Sequence, residues 1–247
     1  MELSYRLKTV ASMVSPSRAA ADVGCDHAYI SIYLVNHNIS QKVIAMDVNE
    51  GPLNIAKNNI LAKGLENKIE TRLSDGLEKL SPGEVDTIII AGMGGNLTCN
   101  ILTQGNDKLH KVNELILQPQ SQVNKVRKLI GKLGFTIEAE KALFDEGKYY
   151  VVIRAVRAEG LEDTFSDKKF KNLRNISLEE IKETHYLYGR YLLENKDPIL
   201  HEYLLNKKQV TINIMEKLKT TGTDNARKRL KEIYKQIKYI NIALEYY

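Results

Sequence analysis

Ala20-Ala-Asp-Val-Gly-Cys-Asp-His-Ala-Tyr-Ile30 is the stretch that decides the fold. Small and β-branched residues open it, as in a buried strand. The chain turns at Gly24 and enters a new apolar-periodic run at Tyr29, Ile30, Tyr33 and Leu34. Strand, tight glycine turn and helix make the entry of a nucleotide-binding βαβ unit. A dinucleotide fingerprint starting at Gly24 needs glycines at 26 and 29, where this chain has Asp26 and Tyr29. A carboxylate at the mouth of the turn repels a pyrophosphate that a helix N-terminus would attract. It suits a ligand that carries an ammonium and no phosphate. S-adenosylmethionine is such a ligand, so the expected cofactor is a methyl donor rather than NAD.

Outward from this stretch, strands and helices alternate. Leu3, Leu7, Val10, Ala11 and Val14 predict a leading helix that Pro16 ends. Strands are expected at about 19–23, 42–47, 69–73, 85–90 and 114–118, with helices between them. Phe135–Leu143 and Tyr149–Val156 read as a closing hairpin around Asp145-Glu-Gly-Lys. This order predicts an α/β fold: a seven-stranded, mostly parallel sheet of the Rossmann-like class I methyltransferase type. After Arg157 strand signals cease. Leu178–Lys182 and Tyr186–Leu193 read as helices. Asp197-Pro198 starts a long helix to about Lys219, and six turn residues lead to a last helix from about Ala226. Leu230, Ile233, Ile237, Ile240 and Leu244 stripe that helix, as in a coiled-coil hairpin. The expected domains are a methyltransferase domain, 1–159, and an all-α coiled-coil domain, 160–247, with the break near Glu159-Gly160.

The 247 residues carry a net charge of +5, and the excess is uneven. Residues 160–247 hold 17 Lys and Arg against 13 Asp and Glu, whereas residues 1–159 hold 19 against 18. A basic helical segment suits an anionic partner, although a solvated helix face has the same composition. Cys25 and Cys99 are too few for a disulfide framework. The N-terminus lacks the apolar core of a signal peptide, and no apolar run reaches the ~20 residues of a membrane helix. The cytoplasm is the expected compartment. The five histidines are scattered, and no metal site is expected.

In an open α/β sheet, ligands bind beyond the carboxyl ends of the strands, where the candidate residues fall. Gly24 lets the backbone approach a ligand, and Asp26 faces the donor's ammonium. Asp47, with Val48 beside it, is 23 residues after Gly24 and placed for two ribose hydroxyls. Asp75 and Gly76 flank an adenine ring. Gly92 and Met93 border the reacting methyl group, and Gly94 and Gly95 let a substrate approach the backbone. Gln118 and Pro119 close the substrate side. His27 either orients the ligands or satisfies a turn, and Tyr29 either packs on ligand or target base or starts the helix core. Asp26, Asp75 and Tyr29 are the candidates for the chemical step.

Asp22-Val-Gly-Cys-Asp-His-Ala-Tyr29, Gly51-Pro52 with Ala56-Lys57, Asp75-Gly-Leu77, Ile90-Ala-Gly-Met-Gly-Gly95 and Leu115-Ile-Leu-Gln-Pro119 together resemble the bacterial TrmK family. Members often have Ser where this chain has Cys25, and Glu where it has Asp47. The resemblance implies methyl transfer from S-adenosylmethionine to N1 of adenine 22 in the D-arm of tRNA. It also implies tRNA as partner for the helical domain; a monomer is expected. The rival readings are a methyltransferase for another RNA position or a small molecule, an NAD-linked oxidoreductase, and a non-catalytic RNA-binding protein.

Overall fold

The apolar runs become strands whose two faces are both covered, which is why they read as continuous rather than alternating. In β1 (Ser17–Val23), Ala20 packs on one side of the sheet while Ala19, Ala21 and Val23 pack on the other. β4 (Thr87–Ala91) and β5 (Glu114–Gln118) divide the same way, with Ile89 and Ile116 on the first face and Ile88, Ile90, Leu115 and Leu117 on the second. The computed structural model describes residues 3–158, 176–221 and 223–247. They form two compact units, Met1–Asp163 and Thr164–Tyr247. The expected break at Glu159-Gly160 lies outside the described residues.

The first unit holds one seven-stranded sheet. With β2 (Ser40–Asp47), β3 (Ile69–Leu73), β6 (Phe135–Asp145) and β7 (Lys148–Arg157), the order is β3-β2-β1-β4-β5-β7-β6. β1 through β5 pair in parallel, and β7 runs antiparallel between β5 and β6. The hairpin loop is two residues, Glu146 and Gly147, both with positive φ (48° and 77°), as a type I′ turn requires. One face carries α1 (Tyr5–Ala11), α2 (Tyr29–Asn36) and α3 (Glu50–Leu61); the other carries α4 (Gly95–Gln104) and α5 (Val123–Lys132).

α1 stops at Ala11, well short of Pro16, because Ser12 Oγ donates to the Thr9 carbonyl (2.8 Å) and the next residues form turns. Asp86, read as part of the fourth strand, lies outside it: its carboxylate accepts from the Arg18 and Ala19 amides (2.9 and 3.3 Å). Glu114, at the start of β5, accepts from Ser15 Oγ, Thr87 Oγ1 and Arg154 Nε (2.8, 3.3 and 2.6 Å). This buried carboxylate ties the entry of β1 to the middle of the sheet.

In the second unit, α6 (Leu178–Tyr188) is started by a Ser177–Glu180 capping box. The two short helices expected here run further than read and break at Gly189, whose φ of 91° no helix accepts. α7 (Arg190–Glu194) follows. α8 (Pro198–Thr221) begins where Asp197 accepts from the Ile199 and Leu200 amides (both 2.9 Å). α9 (Asp224–Leu244) packs along α8 and turns Ala226, Ile233 and Ile240 inward. Only residues 222 and 223 separate these helices, where six turn residues were expected. Thr220 and Thr221 donate to the Lys217 carbonyl (2.8 and 2.9 Å) and prolong α8.

Between α5 and β6, Arg127 Nε donates to Glu140 (2.7 Å), and both side chains are almost fully buried. Breaking such a pair costs about 3–5 kcal/mol, because one charge is left in the interior. Arg127→Leu is expected to lower stability by about that much in urea unfolding. Adding Glu140→Leu should recover most of the loss; a double variant as unstable as the single would refute this account.

Candidate functional site

The chain leaves β1, runs outward to β3, and returns to place β4 beside β1. At this reversal the strand ends diverge and open a crevice. A cleft of about 490 Å³ lies there, lined by the segments that follow all five parallel strands. Such volumes suit a ligand of cofactor size.

The turn after β1 forms the cleft's floor. The Gly24 and Cys25 amides both donate to the Met46 carbonyl (2.8 and 2.9 Å), bending the chain over the end of β2. Gly24 has φ of 73°, and a Cβ on it would sit 2.2 Å from the Met93 methyl. Asp26 and Ala28 also have positive φ, 50° and 60°. For Ala28 this backbone region carries a penalty of about 1–2 kcal/mol. The strained turn carries Asp26 into the cleft.

Of the residues singled out from sequence, Gly24, Asp26, Tyr29, Asp47, Val48, Asp75, Gly76, Gly92 and Met93 line one cleft. Asp47 is largely buried, and its Oδ1 accepts from the Asn49 amide (2.9 Å). Asp75 is exposed, and Gly76 brings its backbone against Ile101. His27 stands beside the cleft: Nδ1 is 2.9 Å from Tyr29 Oη, and Nε2 is 3.4 Å from Asp26. Gly95 packs against the 121–122 backbone, where a Cβ would meet the Ser121 carbonyl at 2.3 Å. Gly94 adjoins Ser121 Oγ. Gln118 and Pro119 are buried. Gln118 Oε1 accepts from the Gly92 amide (3.2 Å) and from Arg6 Nη1 (2.7 Å).

Several lining residues carry no strand-end signal in the sequence. Arg6 and Leu7 enter from α1, Leu97 and Ile101 from α4, and Gln120 from the segment after β5. Leu97 and Val48 are large apolar side chains that are about half exposed, which suits a ring-binding wall. Asn49 and Ser74 complete the β2–β3 end.

Comparison with known proteins agrees with this geometry. The family described as "Methyltransferase domain" matches residues 3–153. The tRNA (adenine(22)-N(1))-methyltransferase of Bacillus subtilis is 32% identical over the whole chain and is covered to 98% of its own length. The chain belongs to the TrmK family. The crystal structure of TrmK from B. subtilis superposes with a TM-score of 0.83 at 31% identity, covering 98% of this chain and 99% of that one. Streptococcus pneumoniae Sp1610 in complex with S-adenosyl-L-methionine gives 0.79 at 31% identity over 98% of this chain and 100% of that one. M. capricolum TrmK in complex with S-adenosyl-homocysteine gives 0.79 at 26% identity over 100% and 99%. Among the described residues of this TrmK-family chain, no His, Cys, Asp or Glu cluster could hold a metal ion.

Four carboxylates face this TrmK cleft: Asp22, Asp26, Asp47 and Asp75. Burial pushes Asp22 up from the usual 3.8 to about 6, against the Ser31 hydroxyl bond (2.7 Å) that lowers it, and the nearby Asp47 and Asp26 raise it further. Burial, then the same three carboxylates, also push the Cys25 thiol well above its usual range, so it stays protonated. Folded Asp22 holds its proton more tightly than unfolded Asp22. Its burial therefore lowers stability as pH rises from about 4 to about 6. Asp22→Asn should gain stability at pH 7.5, on the order of 3 kcal/mol at most, and nothing at pH 4. Urea unfolding at both values checks this; an equal gain at the two pH values would assign the effect elsewhere.

Proposed function

We infer that this chain transfers a methyl group from S-adenosylmethionine to N1 of adenine 22 in tRNA. The observation that carries this reading is full-length similarity to a tRNA (adenine(22)-N(1))-methyltransferase. The acidic cleft at the strand reversal suits a cationic donor and supports it. The donor supplies an electrophilic methyl group on a sulfonium.

Asp47 accepts the two ribose hydroxyls of the donor. Asp75 accepts the adenine amine, and Val48, Leu97 and Ile101 enclose the ring. Asp26 takes the ammonium. Gly24 and Gly92 keep the backbone close, with Met93 packed between the two turns. N1 of neutral adenine already has a lone pair, so no base is needed. Positioning then supplies most of the acceleration, for which effective orientation offers up to ~7–11 kcal/mol. The product ring is cationic, and Asp26 or Asp75 stabilises the developing charge. Tyr29, held by His27, packs beside the target base. Gly94 and Gly95 line the approach of the RNA, and Gln118 and Pro119 support that side from beneath. N1 lies on the Watson–Crick edge, so the target adenine must be unpaired or extruded.

Residues 160–247 bind the tRNA through its phosphates. On α9, Lys228 and Lys231 are exposed and make no ion pair among the described residues, nor does Lys208 on α8. Arg227 and Arg229 instead pair with Asp224 and Glu232. No helix among the described residues is long and apolar enough to cross a membrane. The protein acts where tRNA and donor meet, in the cytoplasm, as a monomer.

Incubation with labelled donor and unmodified tRNA should yield N1-methyladenosine on nucleoside analysis, and tRNA with another base at position 22 should yield none. Asp47→Ala should weaken S-adenosylhomocysteine binding in calorimetry by roughly 1.5–3 kcal/mol, the worth of hydrogen bonds to a charged group. Unchanged affinity would remove Asp47 from the ribose site. Lys208→Ala, Lys228→Ala and Lys231→Ala combined should weaken tRNA binding and flatten its dependence on salt while sparing donor affinity. An unchanged salt slope would exclude this face of the helical unit.

A further inference from the structure

Arg6 is the one cation among the described residues that line the cleft, against four carboxylates. Its surroundings hold the guanidinium in place. Nη1 donates to Gln118 Oε1 (2.7 Å), Cζ lies 5.8 Å from the centroid of the Tyr150 ring, and the backbone amide donates to Asp145 (3.2 Å). Gln118 is completely buried, and its Oε1 also accepts from the Gly92 amide (3.2 Å). Two donors thus fix the orientation of this amide. Gln118 is neutral, so it orients Arg6 without cancelling its charge. Arg6 makes no ion pair among the described residues. The guanidinium keeps further N–H groups for an anion.

The position is informative. A Cβ on Gly92 would be 3.7 Å from Arg6 Nη1 and 3.8 Å from Gln120 Nε2. Arg6 therefore stands at the β1–β4 end of the cleft with Gly24, Asp26 and Tyr29, away from the Asp47–Asp75 end. A cation and a carboxylate at one end of a cleft complement a zwitterion. A bidentate guanidinium fits a carboxylate in particular. A bare cation here would also oppose a sulfonium and a developing adenine cation unless an anion neutralised it.

We propose that Arg6, aimed by Gln118, receives the α-carboxylate of the donor's methionine and makes the cleft selective for donors that carry one. This rests on reading the cleft as the site of an adenosyl donor. Gln118 is then a positioning residue, acting through Arg6.

The test compares two ligands by calorimetry: S-adenosylhomocysteine and its decarboxylated analogue, which keeps the adenosine, thioether and ammonium. Arg6→Ala should weaken the first roughly 10- to 100-fold and leave the second within about twofold. Arg6→Lys should fall between, keeping the charge and losing the fork. Gln118→Glu, which neutralises Arg6 in place, should also weaken the carboxylate ligand selectively. Equal losses for both ligands would overturn the proposal. So would unchanged S-adenosylhomocysteine affinity with a raised KM for tRNA, which would put the guanidinium on an RNA phosphate. Failure of the unsubstituted protein to bind either ligand would overturn the donor reading itself.

Discussion

The Met46 carbonyl accepts from two successive amides, Gly24 and Cys25, and the cleft depends on that doubled bond. It ends β1 by folding the chain over β2, so the following residues cross the mouth of the sheet. Gly24, Asp26 and Ala28 then alternate through left-handed backbone. Only Gly24 adopts it freely; the other two are held by their surroundings. The turn in turn fixes Met93, because the Met93 methyl occupies the space of the missing Gly24 side chain. Two loops from adjacent strands therefore share one packing contact, and neither can move without the other.

The same turn concentrates negative charge. Asp22, Asp26 and Asp47 lie close enough for each of the other two to raise the Asp22 pKa. An apo protein with this arrangement is less stable than its packing alone would allow. Cationic groups of a bound donor relieve the repulsion, so part of the binding energy is held in advance as destabilisation of the empty site. The arrangement favours sulfonium and ammonium over phosphate, and it explains on physical grounds why the dinucleotide pattern fails at positions 26 and 29.

Most of the sheet was legible because parallel strands buried on both faces have a strong signature. Residues after strand ends were legible for the same reason: Asp47 and Asp75 follow recognisable apolar runs. Arg6 was not, because an amphipathic helix gives no sign of which polar residue will face a cleft built from residues a hundred positions away. Leu97 and Gln120 escaped notice similarly. Gln118 was noticed for its place at the end of β5, yet its burial beneath Arg6 follows only from three-dimensional packing. In the helical unit, the Thr-rich segment at 220–223 reads as a turn by composition. Two hydroxyls bonding back to Lys217 keep it helical instead, a local competition that composition does not resolve.

The tie between α1 and the β6–β7 hairpin bears on how the protein is made. Arg6 reaches Gln118 across 112 positions of sequence and Asp145 across 139. A ribosome delivers α1 first and the hairpin that secures it last of the sheet's segments. During synthesis, the Asp47 and Asp75 end of the cleft can assemble once β4 has paired with β1, while the Arg6 end waits for the hairpin. A nascent chain therefore has half a cleft and lacks the means to hold a donor by both of its ends. Ligand capture cannot rescue the growing chain, and sheet closure must rely on strand pairing alone.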